Sequence, residues 1–156
     1  MSFEIFTYCL ISTGSLLALY NLLLIIRARS TKNWDTADGI VLDSELIEFS
    51  SSYESASSFK PRIEYSYSVN GKEYKSNRVY FGSHIMTFFN KQNSRKTVTK
   101  YPKGVNVIVH YDRLNEKQSV LETGVKYQII IGFVLGLIII GIGLILLLYP
   151  NAQVFF

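Results

Sequence analysis

Two stretches of this chain carry no charged side chain, Ile5 to Ile26 and Tyr127 to Tyr149. A helix rises about 1.5 Å per residue, so roughly 20 apolar residues cross the hydrocarbon of a bilayer. Each stretch is that long. Two buried helices of a water-soluble core would need far more chain around them than 156 residues supply. The expectation is a membrane α+β protein. Two transmembrane helices, packed together, flank a small antiparallel β domain of four or five strands resembling a partial barrel. The boundaries read as 1–27 for the first helix and its short tail and 28–125 for the membrane-proximal β domain. Residues 126–150 form the second helix and 151–156 the C-terminal tail.

Charge placement bears on how such a chain inserts. All sixteen Lys and Arg lie between residues 27 and 126. Arg27, Arg29 and Lys32 follow the first apolar run and Lys126 precedes the second. The start, Met1-Ser2-Phe3-Glu4, has no cation, and no small-residue cleavage pattern stands near Leu19-Tyr20-Asn21, so the first run reads as an uncleaved anchor. The excess of cations between the runs predicts a cytoplasmic β domain with both termini outside, in a bacterial inner membrane crossed twice. The single cysteine, Cys9, lies in the first run and reads as an apolar filler.

Between the runs the pattern changes to β. Trp34, the only tryptophan, follows the first run closely enough to rest at headgroup level or to pack under the β domain. Asp38 to Phe49 reads as a strand bent near Ser44, with Ile40, Leu42 and Leu46 alternating with their neighbours. Ser50 to Ser58 reads as a serine-rich loop. Ile63, Tyr65, Tyr67 and Val69 alternate strictly, Asn70-Gly71 suits a type I′ turn, and Lys72 to Phe81 returns as the partner strand. Gly82 to Lys103 has no clear period, and His84 to Phe89 reads as a helical turn or a loop. After the turn Tyr101-Pro102-Lys103-Gly104, residues Val105, Val107, Val109 and Tyr111 share a strand face. A polar turn over Asp112 to Lys117 leads to a short last strand at Ser119-Val120-Leu121.

These strands resemble the DUF3592 family of small membrane-anchored proteins. The resemblance rests on Gly39-Ile40-Val41, on the hairpin with Tyr65, Tyr67, Val69, Asn70, Gly71, Lys72, Tyr74 and Ser76, and on Tyr101-Pro102 with Gly104, Val107, Val109, Tyr111 and Asp112. Ser119-Val120-Leu121-Glu122 with Gly124 fits it too. The chain departs at Arg113 and Glu116, where the family pattern usually has proline. The resemblance implies the architecture and no activity, because the family is defined by an unknown function.

No nucleophile elbow, phosphate loop or dinucleotide fingerprint is present, and the chain reads as a non-enzyme without cofactor. Metal sites need three or four close ligands, and His84, His110 and Cys9 do not supply them by spacing. Nucleic acid is not expected either, since the tyrosines alternate as core residues. Charge is uneven, with Asp35, Asp38, Asp43, Glu45, Glu48 and Glu54 forming an acidic stretch. Lys72 to Lys103 holds eight Lys or Arg against the single Glu73. These two stretches read as complementary sheet edges with solvated loops, or the basic one as a membrane-facing patch. A membrane or partner surface would draw on Trp34, Phe88, Phe89, Lys91, Arg95, Lys96, Lys100 and Lys103. Phe88 and Phe89 fit best as a plug for the barrel's open end. Gly132, Gly136 and Gly143 share one helix face, and Gly14, Ala18 and Asn21 (with Thr7) another, with Asn21 able to hydrogen-bond across. This predicts close packing of the two helices of one chain, with a homo-oligomer as the alternative.

The functional expectation is a non-catalytic module that presents its β domain to a protein partner at the bilayer, as in immunity against a toxin or regulation of an envelope complex. A lipid-interacting protein, or an accessory subunit of a membrane enzyme or transporter, is the alternative.

Overall fold

The computed structural model describes residues 3–49, 58–82 and 91–148. In chain order it holds helix α1 (Phe3–Ser30), a 3-10 turn (Thr31–Asn33), strands β1 (Asp35–Phe49), β2 (Ser58–Val69) and β3 (Lys72–Ser76), and helix α2 (Lys91–Lys100). Strands β4 (Asn106–Asp112) and β5 (Asn115–Val120) and helix α3 (Tyr127–Leu148) follow. The chain divides into two compact units, residues 1–27 with 125–156 and residues 28–124. Phe88 and Phe89, the expected plug, lie outside the described residues, as do His84 and the C-terminal tail.

The first unit is a pair of helices. α1 has 28 residues and runs beyond the expected boundary, so the link from Arg27 onward is helical rather than loop. Arg27, Ala28 and Arg29 are good helix formers with no glycine or proline among them. The helix stops where the Thr31 hydroxyl donates to the Ala28 carbonyl at 2.7 Å. α3 has 22 residues. Small side chains face inward: Thr7, Gly14, Ala18 and Asn21 are buried on α1, and Gly136 and Gly143 on α3. A methyl group at Gly136 would lie 2.7 Å from the Ala18 backbone nitrogen, and one at Gly14 would lie 3.0 Å from the Gly136 carbonyl. The helices therefore meet backbone to backbone, as small-residue stripes allow.

The second unit is built on one open five-stranded sheet in the order β3-β2-β1-β4-β5, every neighbour antiparallel. The Asn70-Gly71 turn takes positive φ at both residues, 52° and 78°, as a type I′ turn requires. β1 is the central strand. Gly39 opposes Tyr67 on one side and Val107 on the other. Register shifts between Val41 and Asp43, so Leu42 is extra and the strand bends there. This bulge lies just before Ser44, and it sets the phase. Val41 is 1% exposed and in the core, whereas Ile40 is 41% exposed on the outer face. The expected alternation of Ile40 and Leu42 with their neighbours is therefore interrupted at this bulge.

The core gathers Val41, Ile63, Tyr65, Tyr67, Val69, Val79, Tyr101, Val109 and Leu121. Tyr67 anchors a ring cluster, its centroid 5.6 Å from Tyr74 and 6.5 Å from Tyr111. No ladder joins β3 to β5, so the sheet does not close into a barrel. Its edges still communicate. Glu116 of β5 accepts from the Tyr74 hydroxyl at 2.5 Å and from Asn70 Nδ2 at 3.2 Å, both at the β3 edge. Edges four spacings apart on a flat sheet would be about 19 Å distant, beyond the reach of these side chains, so the sheet is coiled. The last strand begins earlier than expected, at Asn115, and contains an irregularity. Tyr111 pairs Ser119 but Asp112 pairs Asn115, which swings Glu116 toward Tyr74.

Candidate interaction surface

Helix α2 rests on strands β2 and β1 of the sheet. The buried Ser94 hydroxyl donates to the Phe59 carbonyl of β2 at 2.8 Å, and Val98 packs against the core cluster. The following Tyr101 is itself a core residue. With Ser94 and Val98 inward, Gln92, Arg95, Lys96, Thr99 and Lys100 remain outside, where they line one shallow, open depression. Lys103 is exposed on the turn after the helix, and Lys91 occupies the first helical position.

The electrostatics of this helix are unfavourable in isolation. Its first turn has no acid, although the positive end of the helix dipole favours one. Lys91 with Arg95, and Lys96 with Lys100, are like charges four residues apart, each pair destabilising by about 0.2–0.5 kcal/mol. One acid answers. Lys100 Nζ lies 2.6 Å from Glu122 Oε1, which also accepts from the Tyr101 hydroxyl at 2.9 Å. The Glu122 hydrogen bond raises the Lys100 pKa, while burial, first of all, raises that of Tyr101. Arg95, Lys96 and Lys103 make no ion pair with any described residue.

Asp35, Asp38, Asp43, Glu45 and Glu48 of the acidic stretch lie on the central strand, not on a sheet edge opposite a basic one, and Glu54 lies outside the described residues. Asp35 and Glu45 find partners locally. Arg113 holds Asp35 through Nε at 2.7 Å and Nη2 at 3.0 Å, and Arg62 meets Glu45 across the β1–β2 ladder at 3.0 Å. These pairs are exposed and contribute little to stability. The two positions that depart from the family pattern thus have definite contacts, Arg113 with Asp35 and Glu116 with Tyr74.

The hydroxyls of Tyr65, Tyr67 and Tyr74 are all engaged. That of Tyr65 donates to the Arg78 carbonyl at 2.9 Å and so accepts from Ser119 at 3.1 Å. Burial pushes its pKa up to about 12. Tyr67 donates to the Glu116 carbonyl at 2.6 Å, and burial raises its pKa too. The hydrogen bond to Glu116 takes Tyr74 to about 12. Such phenols are structural donors, not bases.

Of the remaining expected positions, Trp34 is partly exposed, its backbone N–H donating to the Thr31 carbonyl at 3.3 Å. His110 is half-buried. Gly132 faces Asn21, since a methyl group there would come within 2.5 Å of Asn21 Oδ1. Asn21 does not use its amide across the helix pair. Its Nδ2 donates to Leu17 on its own helix at 2.8 Å, leaving a buried Oδ1 without a partner among the described residues. Sequence reasoning missed the outer sheet face, where Ile40 of β1 and Ile108 of β4 stand exposed. It also missed Glu122, whose role depends on residues 22 positions away.

No curated protein matches the chain. The model of the domain of unknown function DUF3592 matches residues 37–126, more than half of the chain and nearly the whole coiled sheet with its tyrosine core, and the chain belongs to that family.

Proposed function

We propose that this is a two-span integral membrane protein that presents its β unit, on the cytoplasmic side, to a protein partner, without catalysis. One observation carries the membrane reading. Twenty-one of the twenty-five exposed large apolar side chains among the described residues belong to α1 and α3, while the buried positions include Thr7, Gly14, Ala18, Gly136 and Gly143. That is the reverse of a water-soluble helix pair. At roughly 1 kcal/mol forgone for each half-exposed side chain, water would cost such a surface about 20 kcal/mol. This exceeds the usual 5–15 kcal/mol of net stability for a fold. Lipid imposes no such cost.

The partner reading draws on the outer sheet face. Ile40 and Ile108 lie on adjacent strands, separated by one pair of the ladder, with Asp38 opposite Ile108. Two apolar side chains beside a carboxylate suit a protein contact with an apolar centre and a basic rim. A photo-reactive amino acid at Ile108 should cross-link in cells to one discrete protein, and the same probe at exposed Lys117 should not. Protein that resists carbonate extraction yet gives the same cross-links from both sites would end the partner reading. Release by carbonate would end the membrane reading. A reporter fused at Phe156 should be active outside the cytoplasm.

A further inference from the structure

Beyond the Lys100–Glu122 pair, the basic face of α2 and the turn after it meets no anion among the described residues. Arg95, Lys96 and Lys103 are exposed and make no ion pair with a described residue, and the helix has no acid in its first turn. Where that helix ends is the second observation. Lys100 is joined to Glu122 at 2.6 Å. Two residues later Gly124 closes the unit by donating its N–H to the Thr31 hydroxyl at 2.9 Å. Glu122 is thus five residues of chain from Tyr127, where α3 begins, at most about 18 Å even if fully extended. The headgroup layer adds roughly 5–8 Å beyond the hydrocarbon, and a charge is felt over a further 8–10 Å at physiological salt. That tether is comparable in length with the distance over which the charge of the leaflet entered by α3 is felt, so Glu122 stays at or near the limit of that reach.

From this juxtaposition we infer that the outer face of α2, with Arg95, Lys96 and Lys100, together with Lys103 of the following turn, docks on the anionic phospholipid headgroups of the leaflet that anchors the chain. The inference rests on the membrane reading of α1 and α3. A soluble acidic protein would have to be recruited from dilution, whereas the leaflet is tethered to this helix at high effective concentration. Phosphate suits the donors, because Arg95 offers a planar fork and the lysines compact point charges. Docking also relieves the like charges spaced four residues apart, so the lipid-bound helix is better formed than the free one.

The test uses the full chain in nanodiscs, with Cys9→Ser removing the native thiol and Thr99→Cys carrying a nitroxide. Collision of the label with a water-soluble nickel chelate is measured in phosphatidylcholine discs and in discs with phosphatidylglycerol added. Phosphatidylglycerol should at least halve the collision rate, and half-molar salt should restore it. Each of Arg95→Gln, Lys96→Gln and Lys103→Gln should weaken the docked state roughly fivefold. Equal collision rates in the two disc types overturn the inference. So does protection in phosphatidylcholine discs brought about only by polyglutamate, which would identify an acidic protein as the occupant. Protein that fails to enter discs at all indicts the membrane reading, a separable outcome.

Discussion

Replacing Gly39 with alanine tests how tightly the central strand is seated. A methyl group there would lie 2.6 Å from the Ser66 carbonyl oxygen and 2.7 Å from Val109 Cγ2. The first contact is to the backbone of β2 and the second to a fully buried side chain of β4, so relief from one presses on the other. Overpacking of this kind costs about 1–3 kcal/mol. The loss of glycine's freedom in the unfolded chain returns about 0.4–1 kcal/mol, leaving a net loss of about 1–2 kcal/mol. For a unit of this size each kcal/mol moves Tm by about 4–8 °C, so Gly39→Ala should melt roughly 5–15 °C below wild type. Near-ultraviolet circular dichroism of the full chain in detergent reads this directly, because Tyr67, paired with Gly39, is in ring contact with Tyr65, Tyr74 and Tyr111. Val109→Ala removes one of the two contacts. The double variant should therefore lose less than the two singles together by at least about 0.5 kcal/mol. A Gly39→Ala protein as stable as wild type, or strict additivity with Val109→Ala, would refute the reasoning.

Gly136→Ile should force α1 and α3 apart, because its first side-chain carbon already falls 2.7 Å from the Ala18 nitrogen. Unchanged helix–helix cross-linking and unchanged stability in detergent would show that this contact is dispensable. The Tyr74 hydroxyl has a folded pKa of about 12 against an ordinary 10.0, set first by its hydrogen bond to Glu116. The protonated phenol is the favoured form. Its contribution is complete below pH 10 and disappears as pH rises through 12. An absorbance titration at 295 nm, differenced against Tyr74→Phe, should show the late phenol, and Glu116→Gln should move it to lower pH.

How far these features could be read in advance follows from their locality. The two apolar runs and the hairpin from Ile63 to Ser76 are local signals, a composition in one case and a strict period of two around a glycine turn in the other. β1 was harder, since Ile40-Val41-Leu42 is continuously apolar and only pairing with β2 and β4 decides which residue turns inward. α2 has no local signature. Lys-Gln-Asn-Ser-Arg-Lys-Thr-Val-Thr-Lys is polar around most of its circumference and carries two threonines and a valine, weak helix formers. It is a helix because Ser94 and Val98 find the sheet. The role of Glu116 depends on the coiling of five strands, which brings residue 116 to residue 74.

The hydrogen bond between Thr31 and Gly124 has a consequence for engineering and for evolution. A folded unit whose chain enters and leaves at two bonded residues, Thr31 and Gly124, occupies almost no length of its host. Residues 31–124 could be lifted out and set into the bend of another helical hairpin without altering the spacing of the host helices. The Thr31 hydroxyl accepts from one end and donates to Ala28 at the other, so a single buried side chain fastens the seam. A cassette of this kind can change hosts while the sheet keeps its sequence, and chimeras joined at Thr31 and Gly124 should fold where chimeras joined inside β1 or β5 do not.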